Sequence, residues 1–451
     1  MRFGHRVHGK ITSYDEKGRG VFENYTVPFT TLGDEVTATF IKRDHKNKIF
    51  KLESVDVGGP DRIQAPCPHA SNCGGCLWQH IQYDAQIKIK KDMVNSAFTQ
   101  AGHDIQVSEV IHAKEKFHHR NRMDYCIGWN SEIGLKEYGS WSKYVDVQSC
   151  LLLNEDAGDI LREVREWMKE FDILPWDAKF YRGVARYVVV REGKRTGERM
   201  IILVVHAFDD VHQDARHAIA KRLQPYATSI LLGEQSMDTD ISLAQKFLTL
   251  HGEAWIEEIV GDVRYRIHPN SFFQTNSVMA EVLQNTVGEM LGMKTSTNST
   301  KKYLLDLYCG LGFFGIAFAK KNPQLYISGF ELDAPAIELA TYNAKINEVD
   351  SRCNFTAGPA EDLSWSTHPA DVMIVDPPRS GLHPKVLKTI MDMAPPSIVY
   401  VSCNYHRLVE ELKTFSEKYF IEKIAAIDMF PHTPHVEVVV KLQAKHAILK
   451  S

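Results

Sequence analysis

A cysteine and a glutamate near the carboxyl end of the chain are candidates for a nucleophile and a general base. Cys403 follows the apolar run 397–401, which predicts a buried strand. A thiol at the carboxyl tip of such a strand can have its pKa lowered by polar surroundings, although a lone cysteine is more often part of a core. Glu437 stands at the mouth of the apolar run 438–440, where desolvation would raise its pKa towards that of a base. Taken alone, Glu437 is equally consistent with a surface residue.

Two further segments predict a ligand cleft. Gly310, Gly312 and Gly315 follow a predicted strand, and glycines there let the backbone approach a cofactor closely. Glu331 comes 19 residues after Gly312 and could accept the ribose hydroxyls of a nicotinamide dinucleotide or of S-adenosylmethionine. The glycine turn does not separate these two cofactors. The rigid loop Asp376-Pro377-Pro378-Arg379 could meet the face and edge of a nucleobase, which favours methyl transfer.

Three of the eight cysteines fall within ten residues, which indicates ligation rather than a disulfide scaffold. Cys67, Cys73 and Cys76, with one distant cysteine, could hold zinc or a [4Fe-4S] cluster, and their spacing does not choose between the two. Cys126 and Cys353 are predicted to be core residues.

The elements that must position these side chains change in kind along the chain. From about residue 300, apolar strands alternate with glycine-rich turns and helices, which predicts an α/β fold with a doubly wound, mostly parallel sheet. Residues 1–58 alternate in short runs and predict a small β-barrel of about five strands. Residues 59–268 predict a mixed α+β domain with a helix over 84–100, which could pack on the catalytic domain at 269–451.

Composition excludes several classes of protein. The 451 residues are 44% hydrophobic and 24% charged, with 53 basic and 57 acidic side chains, so the chain is neither disordered nor globally basic. The segment 41–51 holds five Lys or Arg residues and could be a nucleic-acid face, or equally a solvated hairpin tip. No run approaches the length of a membrane helix, and we expect a cytoplasmic protein with no membrane partner.

Together these motifs resemble the RNA uracil-C5 methyltransferases that make 5-methyluridine, in the branch with an N-terminal TRAM domain and an iron-sulfur cluster. The resemblance extends over nearly the whole chain. It is carried by Gly18-Arg19-Gly20-Val21, the cysteines, Arg120-Asn121-Arg122, Ser271-Phe272-Phe273-Gln274, Asp306-Leu307-Tyr308-Cys309-Gly310, Asp376-Pro377-Pro378-Arg379, Ser402-Cys403-Asn404 and His435-Val436-Glu437. It implies a Rossmann-like class I methyltransferase domain, a TRAM or OB-like barrel and S-adenosylmethionine as methyl donor.

The resemblance also assigns roles to individual residues. Cys403 would add to carbon 6 of the uracil, and Glu437 would remove the carbon 5 proton. The cofactor would be contacted or oriented by Gln274, Tyr308, Glu331 and Asp376. A [4Fe-4S] cluster, favoured over zinc, would be held by Cys67, Cys73, Cys76 and Cys150. Contacts to RNA or uracil are suggested for Arg120, Arg122 and Arg379, each of which could instead pair with a carboxylate.

The chain departs from the family pattern at two places. Phe313 stands where the family has Asn after the second glycine of the cofactor turn. Tyr405 and Arg407 stand where the family has Pro and Thr after the nucleophile. We therefore expect one fewer polar contact to the cofactor and a differently shaped loop around Cys403.

The predicted barrel and cluster resemble those of the ribosomal RNA enzymes. This resemblance implies 23S ribosomal RNA as the substrate, with tRNA as the second choice, and we expect a monomeric enzyme. Two alternatives of other classes remain: a non-catalytic RNA-binding protein, and a dinucleotide-dependent iron-sulfur oxidoreductase. The joint presence of Cys403, Glu437 and Asp376 argues against the first, and the second leaves Asp376-Pro377-Pro378-Arg379 and Cys403 unexplained.

Overall fold

The computed structural model describes residues 3–44, 47–177, 179–292 and 301–445. These residues form sheets of six, seven and eight strands and one two-stranded hairpin. Within the described ranges, no helix is both long enough and apolar enough to cross a membrane.

The first six strands form one sheet, which we call the N-terminal sheet. Its strands are Arg6–Lys10 (β1), Ser13–Tyr14 (β2), Gly20–Phe22 (β3), Tyr25–Val27 (β4), Glu35–Asp44 (β5) and Asn47–Val57 (β6), in the order β1-β5-β6-β4-β3-β2. Alternate residues of β5, namely Val36, Ala38 and Phe40, pack against Phe22 and Phe50. Six strands are present rather than about five, and closure into a barrel stays a prediction. His45 and Lys46 of the predicted basic face lie outside the described residues.

The next part of the chain builds a seven-stranded sheet covered by two helices. The elements are Tyr83–Gln100 (α1), Val110–Ile111 (β7), Arg122–Ile127 (β8), Ile133–Lys136 (β9), Tyr144–Asp146 (β10), Ala157–Glu170 (α2), Ala185–Glu192 (β11), Arg199–Val205 (β12), Gln213–Leu223 (α3), Ser229–Glu234 (β13), Lys246–His251 (β14), Ile256–Val260 (β15) and Val263–Ile267 (β16). The sheet order is β10-β9-β8-β11-β12-β13-β14, and β15 pairs with β16 as the separate hairpin. The apolar stripes of α2 and α3 close one core over this sheet.

The carboxyl-terminal part forms the sheet on which the candidate site lies. Its elements are Ser277–Met290 (α4), Lys302–Leu307 (β17), Phe313–Lys321 (α5), Leu325–Glu331 (β18), Ala334–Ile346 (α6), Cys353–Ala357 (β19), Val372–Val375 (β20), Pro384–Met393 (α7), Ser397–Ser402 (β21), Tyr405–Phe415 (α8), Tyr419–Ile427 (β22) and Glu437–Ala444 (β23). The order is β19-β18-β17-β20-β21-β23-β22-β7.

Strands β17 to β21 of this sheet pair in parallel, and β23 runs antiparallel to β21. Helices α4, α5 and α6 contribute to the core on one face, and α1, α7 and α8 to the core on the other. The predicted doubly wound, mostly parallel α/β sheet is therefore confirmed. The sheet also takes in β7, from the segment predicted as the central domain. The predicted domain boundaries stay predictions.

Helix α1 is fastened to the carboxyl-terminal sheet by an ion pair in the protein interior. Lys90 and Asp428 are both fully buried, and Lys90 Nζ lies 2.5 Å from Asp428 Oδ1. Lys90 also donates to the carbonyl of Phe430 at 3.0 Å, and the hydroxyl of Tyr83 donates to Asp428 Oδ2 at 2.8 Å. These contacts bridge positions more than 330 residues apart in the chain.

Replacing Lys90 by methionine is expected to destabilise the protein by about 3–5 kcal/mol, because Asp428 would remain buried without its cation. The matched control is Lys88→Met, which removes a charge from the exposed face of the same helix. Thermal melting of the two variants measures the difference. If both variants melted at the same temperature, the buried pair would contribute nothing to stability.

Candidate active site

The candidate residues converge because five strands of the carboxyl-terminal sheet place polar side chains at the same edge. Parallel strands that share a direction present their carboxyl ends together. Tyr308 follows β17, Glu331 ends β18, Asp376 follows β20 and Cys403 follows β21. Glu437 begins β23 and reaches the same edge because β23 is antiparallel to β21.

The glycine turn after β17 is shaped by residues with positive φ. Gly310 and Gly312 have φ of 54° and 85°, and a Cβ on Gly312 would lie 2.5 Å from Ile316 Cδ1. The amide of Gly310 donates to Glu331 Oε2 at 3.1 Å, and the amide of Asp333 donates to Glu331 Oε1 at 3.2 Å. Both carboxylate oxygens of Glu331 are thus held by backbone amides, one from the glycine turn and one from the start of α6.

A small cavity lies beside this turn. Gln274, Tyr308 and Asp376 line it, together with Phe272 and Phe313. Glu331 is not among the lining residues but contacts Gly310, which is. Three of the four predicted cofactor residues therefore share one cavity, and the fourth supports its wall.

Buried carboxylates make this edge of the sheet receptive to positive charge. Burial, and next the negative charge of Asp376, raise the pKa of Asp306 to about 8. Burial, and next the charge of Glu331, raise the pKa of Asp376 to about 7. Asp306 Oδ1 is buried with no hydrogen-bond partner among the described residues. A cationic ligand would stabilise the ionised forms of these groups.

The candidate nucleophile and base are adjacent because of the strand register. Ser402 of β21 pairs with Val438 of β23, so Cys403 and Glu437 extend from neighbouring strand ends. Burial, and next the charge of Glu437, raise the pKa of the Cys403 thiol, while the Arg379 guanidinium lowers it. Burial, and next the charge of Asp376, hold the pKa of Glu437 well above its usual range. Arg379 is therefore placed to favour the thiolate.

The loop after Cys403 is held by its own contacts, including those at the departures from the family pattern. The Asn404 amide donates to the carbonyl of Arg379 at 2.9 Å, which ties the nucleophile loop to the Asp376-Pro377-Pro378-Arg379 loop. Arg407 is ion-paired with Glu411 at 2.8 Å. Tyr405 is buried in the core on this face. Tyr405 is thus accommodated by packing in the core, and Arg407 by its ion pair with Glu411.

A larger cleft of about 2050 Å³ opens in front of Cys403. Its wall includes residues from all three large sheets or the loops that join them, among them Lys17, Gly75, Arg120, Arg379 and His435. The basic side chains that line it are Lys17, Arg120, Arg122, Lys136 and Arg379. The acidic ones are Glu16 and Asp124. The cleft is therefore locally basic in a chain whose formal charge is −4.

The three arginines predicted to contact RNA differ in their partners. Arg122 is ion-paired with Asp124 at 2.9 Å, so the alternative of a carboxylate partner applies to it. Arg120 and Arg379 form no ion pair among the described residues, and both line the cleft. They are the better candidates for phosphate contacts.

Asn121 is a site residue that the sequence analysis missed. It is buried, and its amide donates to the carbonyl of Gln274 and to the hydroxyl of Ser277, both at 2.8 Å. It therefore holds the segment that carries Gln274 into the cofactor cavity. In the motif Arg120-Asn121-Arg122, the two arginines were predicted to contact RNA because of their charge, and no role was predicted for the asparagine between them.

The four predicted ligand cysteines meet in a second cavity. Cys67, Cys73, Cys76 and Cys150 all line one small cavity. Burial raises the pKa of Cys73 to about 11 and that of Cys76 to about 12. Within the described ranges, no group of three or more His, Cys, Asp or Glu side chains is arranged to hold a metal ion. Gly75 lines both this cavity and the large cleft, so the cysteine loop separates the two.

Comparison with known proteins identifies the relatives of this chain. A sequence model described as tRNA (Uracil-5-)-methyltransferase matches residues 82–445. The chain belongs to this family. A tRNA (uracil(54)-C(5))-methyltransferase of Pyrococcus horikoshii is 37% identical over 97% of this chain and 100% of its own length. An uncharacterized RNA methyltransferase of Caldanaerobacter subterraneus is 32% identical over 97% of this chain and 99% of its own length.

A solved structure resembles the whole chain. The crystal structure of the Pyrococcus abyssi tRNA (uracil-54, C5)-methyltransferase in complex with S-adenosyl-L-homocysteine is 34% identical, with a TM-score of 0.80. The match covers 96% of this chain and 99% of the other. The expected enzyme class, an RNA (uracil-5-)-methyltransferase, is confirmed. The relatives favour tRNA over the expected 23S ribosomal RNA, and the TRAM and iron-sulfur assignments stay predictions.

Proposed function

We propose that this enzyme transfers a methyl group from S-adenosylmethionine to carbon 5 of uridine 54 in tRNA. The observation that carries the proposal is the β21–β23 register, which brings Cys403 and Glu437 together at the mouth of a basic cleft. The relatives named above supply the tRNA substrate and the position.

The chemistry requires a nucleophile because carbon 5 of uracil alone is too weakly nucleophilic. The Cys403 thiolate adds to carbon 6, which makes an enolate whose carbon 5 can accept a methyl group. S-adenosylmethionine, when bound, supplies that methyl group as an electrophile. Glu437 then takes the proton from carbon 5, and the carbon–sulfur bond to Cys403 breaks to restore the double bond. Arg379 favours the thiolate at the first step.

The cofactor cavity fits a cationic methyl donor. Gln274, Tyr308 and Asp376 would hold the donor, and Glu331 would support the glycine turn and face its ribose. The raised pKa of Asp376, about 7, in the wall of this cavity supports a ligand that carries positive charge. Phe313 lies edge-to-face against Phe273, with ring centroids 6.0 Å apart, and so adds apolar rather than polar lining to this cavity.

The decisive experiment is methyl transfer from labelled S-adenosylmethionine to three RNAs: unmodified tRNA, the same tRNA with cytidine at position 54, and unmodified 23S ribosomal RNA. We expect 5-methyluridine, identified by mass spectrometry, in the first RNA alone. Methylation of the 23S RNA but not of the tRNA would overturn the substrate proposal. Absence of transfer to every RNA would overturn the proposed function itself.

We also propose that the cysteine cavity holds a [4Fe-4S] cluster on Cys67, Cys73, Cys76 and Cys150. All four thiols line the cavity, which supports a shared ligand. Zinc bonds of about 2.3 Å would need the thiolates gathered tightly around one ion, whereas each cysteine of a cluster binds a different iron. The resemblance carried by the sequence motifs favours the cluster over zinc. The cluster would fasten the loop that walls the cleft.

Replacing Cys73 by serine is expected to remove most of the iron from anaerobically purified protein, because the cluster would lose one thiolate. Iron analysis and the visible absorption of the protein measure the loss. The matched control is Cys353→Ser, since Cys353 lies at the start of β19, outside the cysteine cavity. Unchanged iron content in the Cys73→Ser variant would contradict the ligand assignment.

A further inference from the structure

The loop between β2 and β3 of the N-terminal sheet, residues 15–19, has a closely held conformation. The Asp15 carboxylate accepts from the amides of Lys17 at 3.0 Å and Arg19 at 2.9 Å. The Arg19 guanidinium is buried and pairs with the same carboxylate at 2.7 Å. The amide of Gly18 donates to the carbonyl of Asp15 at 2.9 Å. This β2–β3 loop is thus preorganised by hydrogen bonds of its own.

The tip of the loop touches the carboxyl-terminal sheet. The Trp78 indole donates to the carbonyl of Gly18 at 2.7 Å. A Cβ placed on Gly18 would lie 2.5 Å from Pro434 Cβ and 2.6 Å from Trp78 Cζ2. Gly18 also has φ of 69°, a conformation that disfavours other residues. Only glycine permits this close approach.

The residues touched by the loop lead directly to the candidate base. Residues 428–436 form the β22–β23 turn, and Glu437 is the first residue of β23. The amide of fully buried Trp78 donates to the carbonyl of His432 in this turn at 2.9 Å. Pro434, against which Gly18 packs, is three residues before Glu437. Gly18 and Trp78 therefore both contact this turn.

The same loop also reaches the wall of the large cleft. Glu16 and Lys17 line this cleft together with Cys403 and His435. The N-terminal sheet thus contacts the turn before Glu437 and shares the cleft wall with Cys403, although its own strands carry neither the nucleophile nor the base.

We propose that Gly18 is a positioning residue for the methyl-transfer reaction: the β2–β3 loop braces the β22–β23 turn through Trp78 and Pro434 and so places Glu437 for proton removal. The inference rests on the proposed function. If Gly18 has this role, the N-terminal sheet affects the rate of the chemical steps as well as the binding of RNA. Small displacements of a catalytic group, near 1 Å, reduce rates on the order of 100-fold.

The test compares Gly18→Ala with Gly4→Ala under single-turnover conditions on tRNA. Gly4 has φ of 81° in the same part of the chain, and a Cβ there would meet nothing within 4 Å. Both variants therefore carry the same backbone strain, but only Gly18→Ala pushes on the turn. We expect Gly18→Ala to slow 5-methyluridine formation by about 10- to 100-fold at saturating tRNA. Its KM for tRNA should stay near that of Gly4→Ala.

A second readout separates positioning from a general loss of structure. If Glu437 is displaced, release of the methylated RNA from Cys403 slows, and the covalent protein–RNA adduct accumulates on denaturing gels. A disturbed fold lowers adduct formation instead. Trp78→Phe, which removes the indole donor to Gly18 and part of the ring that packs on it, should show the same accumulation to a smaller extent and keeps the test decisive if Gly18→Ala fails to fold.

The outcomes distinguish this inference from the proposed function. If the wild-type enzyme made no 5-methyluridine, the proposed function would be overturned. Suppose that the wild-type enzyme is active, but that the variants raise only the KM for tRNA or leave adduct levels unchanged. This result would overturn the positioning role and would show that the N-terminal sheet contributes only to RNA affinity.

Discussion

Cys403→Ala is expected to abolish methyl transfer, with the rate falling by at least about 10⁴-fold, because the variant cannot form the carbon 6 adduct. The side chain is half-buried at the end of β21, so its loss leaves a small gap beside the cleft and little strain. Release of label from S-adenosylmethionine into tRNA measures the rate, and a denaturing gel measures the adduct.

The matched control for this variant is Cys353→Ala. Cys353 is also half-buried and begins β19 of the same sheet, but it is far along the sheet order from β21. We expect this control to retain most of the activity. A Cys403→Ala enzyme that still methylated tRNA would exclude Cys403 as the nucleophile.

Glu437→Gln is expected to slow turnover by about 10²- to 10⁴-fold and to leave methylated RNA bound to Cys403. Glutamine preserves the shape of the side chain but cannot accept the carbon 5 proton, so the reaction stops after methylation. The adduct should appear as a shifted band on a denaturing gel, and mass spectrometry should find the methyl group in it.

Two controls make the result on Glu437 specific. The double variant Cys403→Ala, Glu437→Gln should form no adduct, since the thiolate is absent. Burial and the charge of Asp376 hold the pKa of Glu437 well above its usual range, so the ionised form is unfavourable in the fold. The Glu437→Gln enzyme should therefore melt no earlier than the wild type. A variant with normal turnover would show that another group removes the proton.

Local sequence patterns predicted the catalytic sheet well. The apolar run 397–401 lies within the buried strand β21, and the helix expected over 84–100 spans Tyr83–Gln100 and packs on this sheet. Such patterns are informative because a strand buried on both faces must be continuously apolar. The polar residues that follow β17, β20 and β21 then mark the ligand edge of the sheet.

Other features depend on contacts that no local pattern encodes. The buried pair of Lys90 and Asp428 joins a helix to a strand end across more than 330 residues. On sequence alone, a lysine on a helix is expected to face solvent. The role of Asn121 likewise became visible only when its amide was found on Gln274 and Ser277.

The substrate preference was the least predictable part of the function. Barrel-like strands and clustered cysteines favoured 23S ribosomal RNA, whereas the relatives favour tRNA. The nucleophile and base motifs serve the same chemistry on either RNA, so they cannot distinguish the two. The wall of the large cleft is built by several separate segments, and no local pattern encodes its shape.

The sequence by itself predicted the reaction, because the motifs around Cys403, Glu437 and the glycine turn together resemble one family of enzymes. Only the tertiary structure decided which distant residues surround them. Gly18 meets Pro434 because two parts of the chain that are distant in sequence pack together, and a missing Cβ allows their loops to touch. Packing of this kind depends on the combined shape of both surfaces, and that shape exists only after the chain has folded.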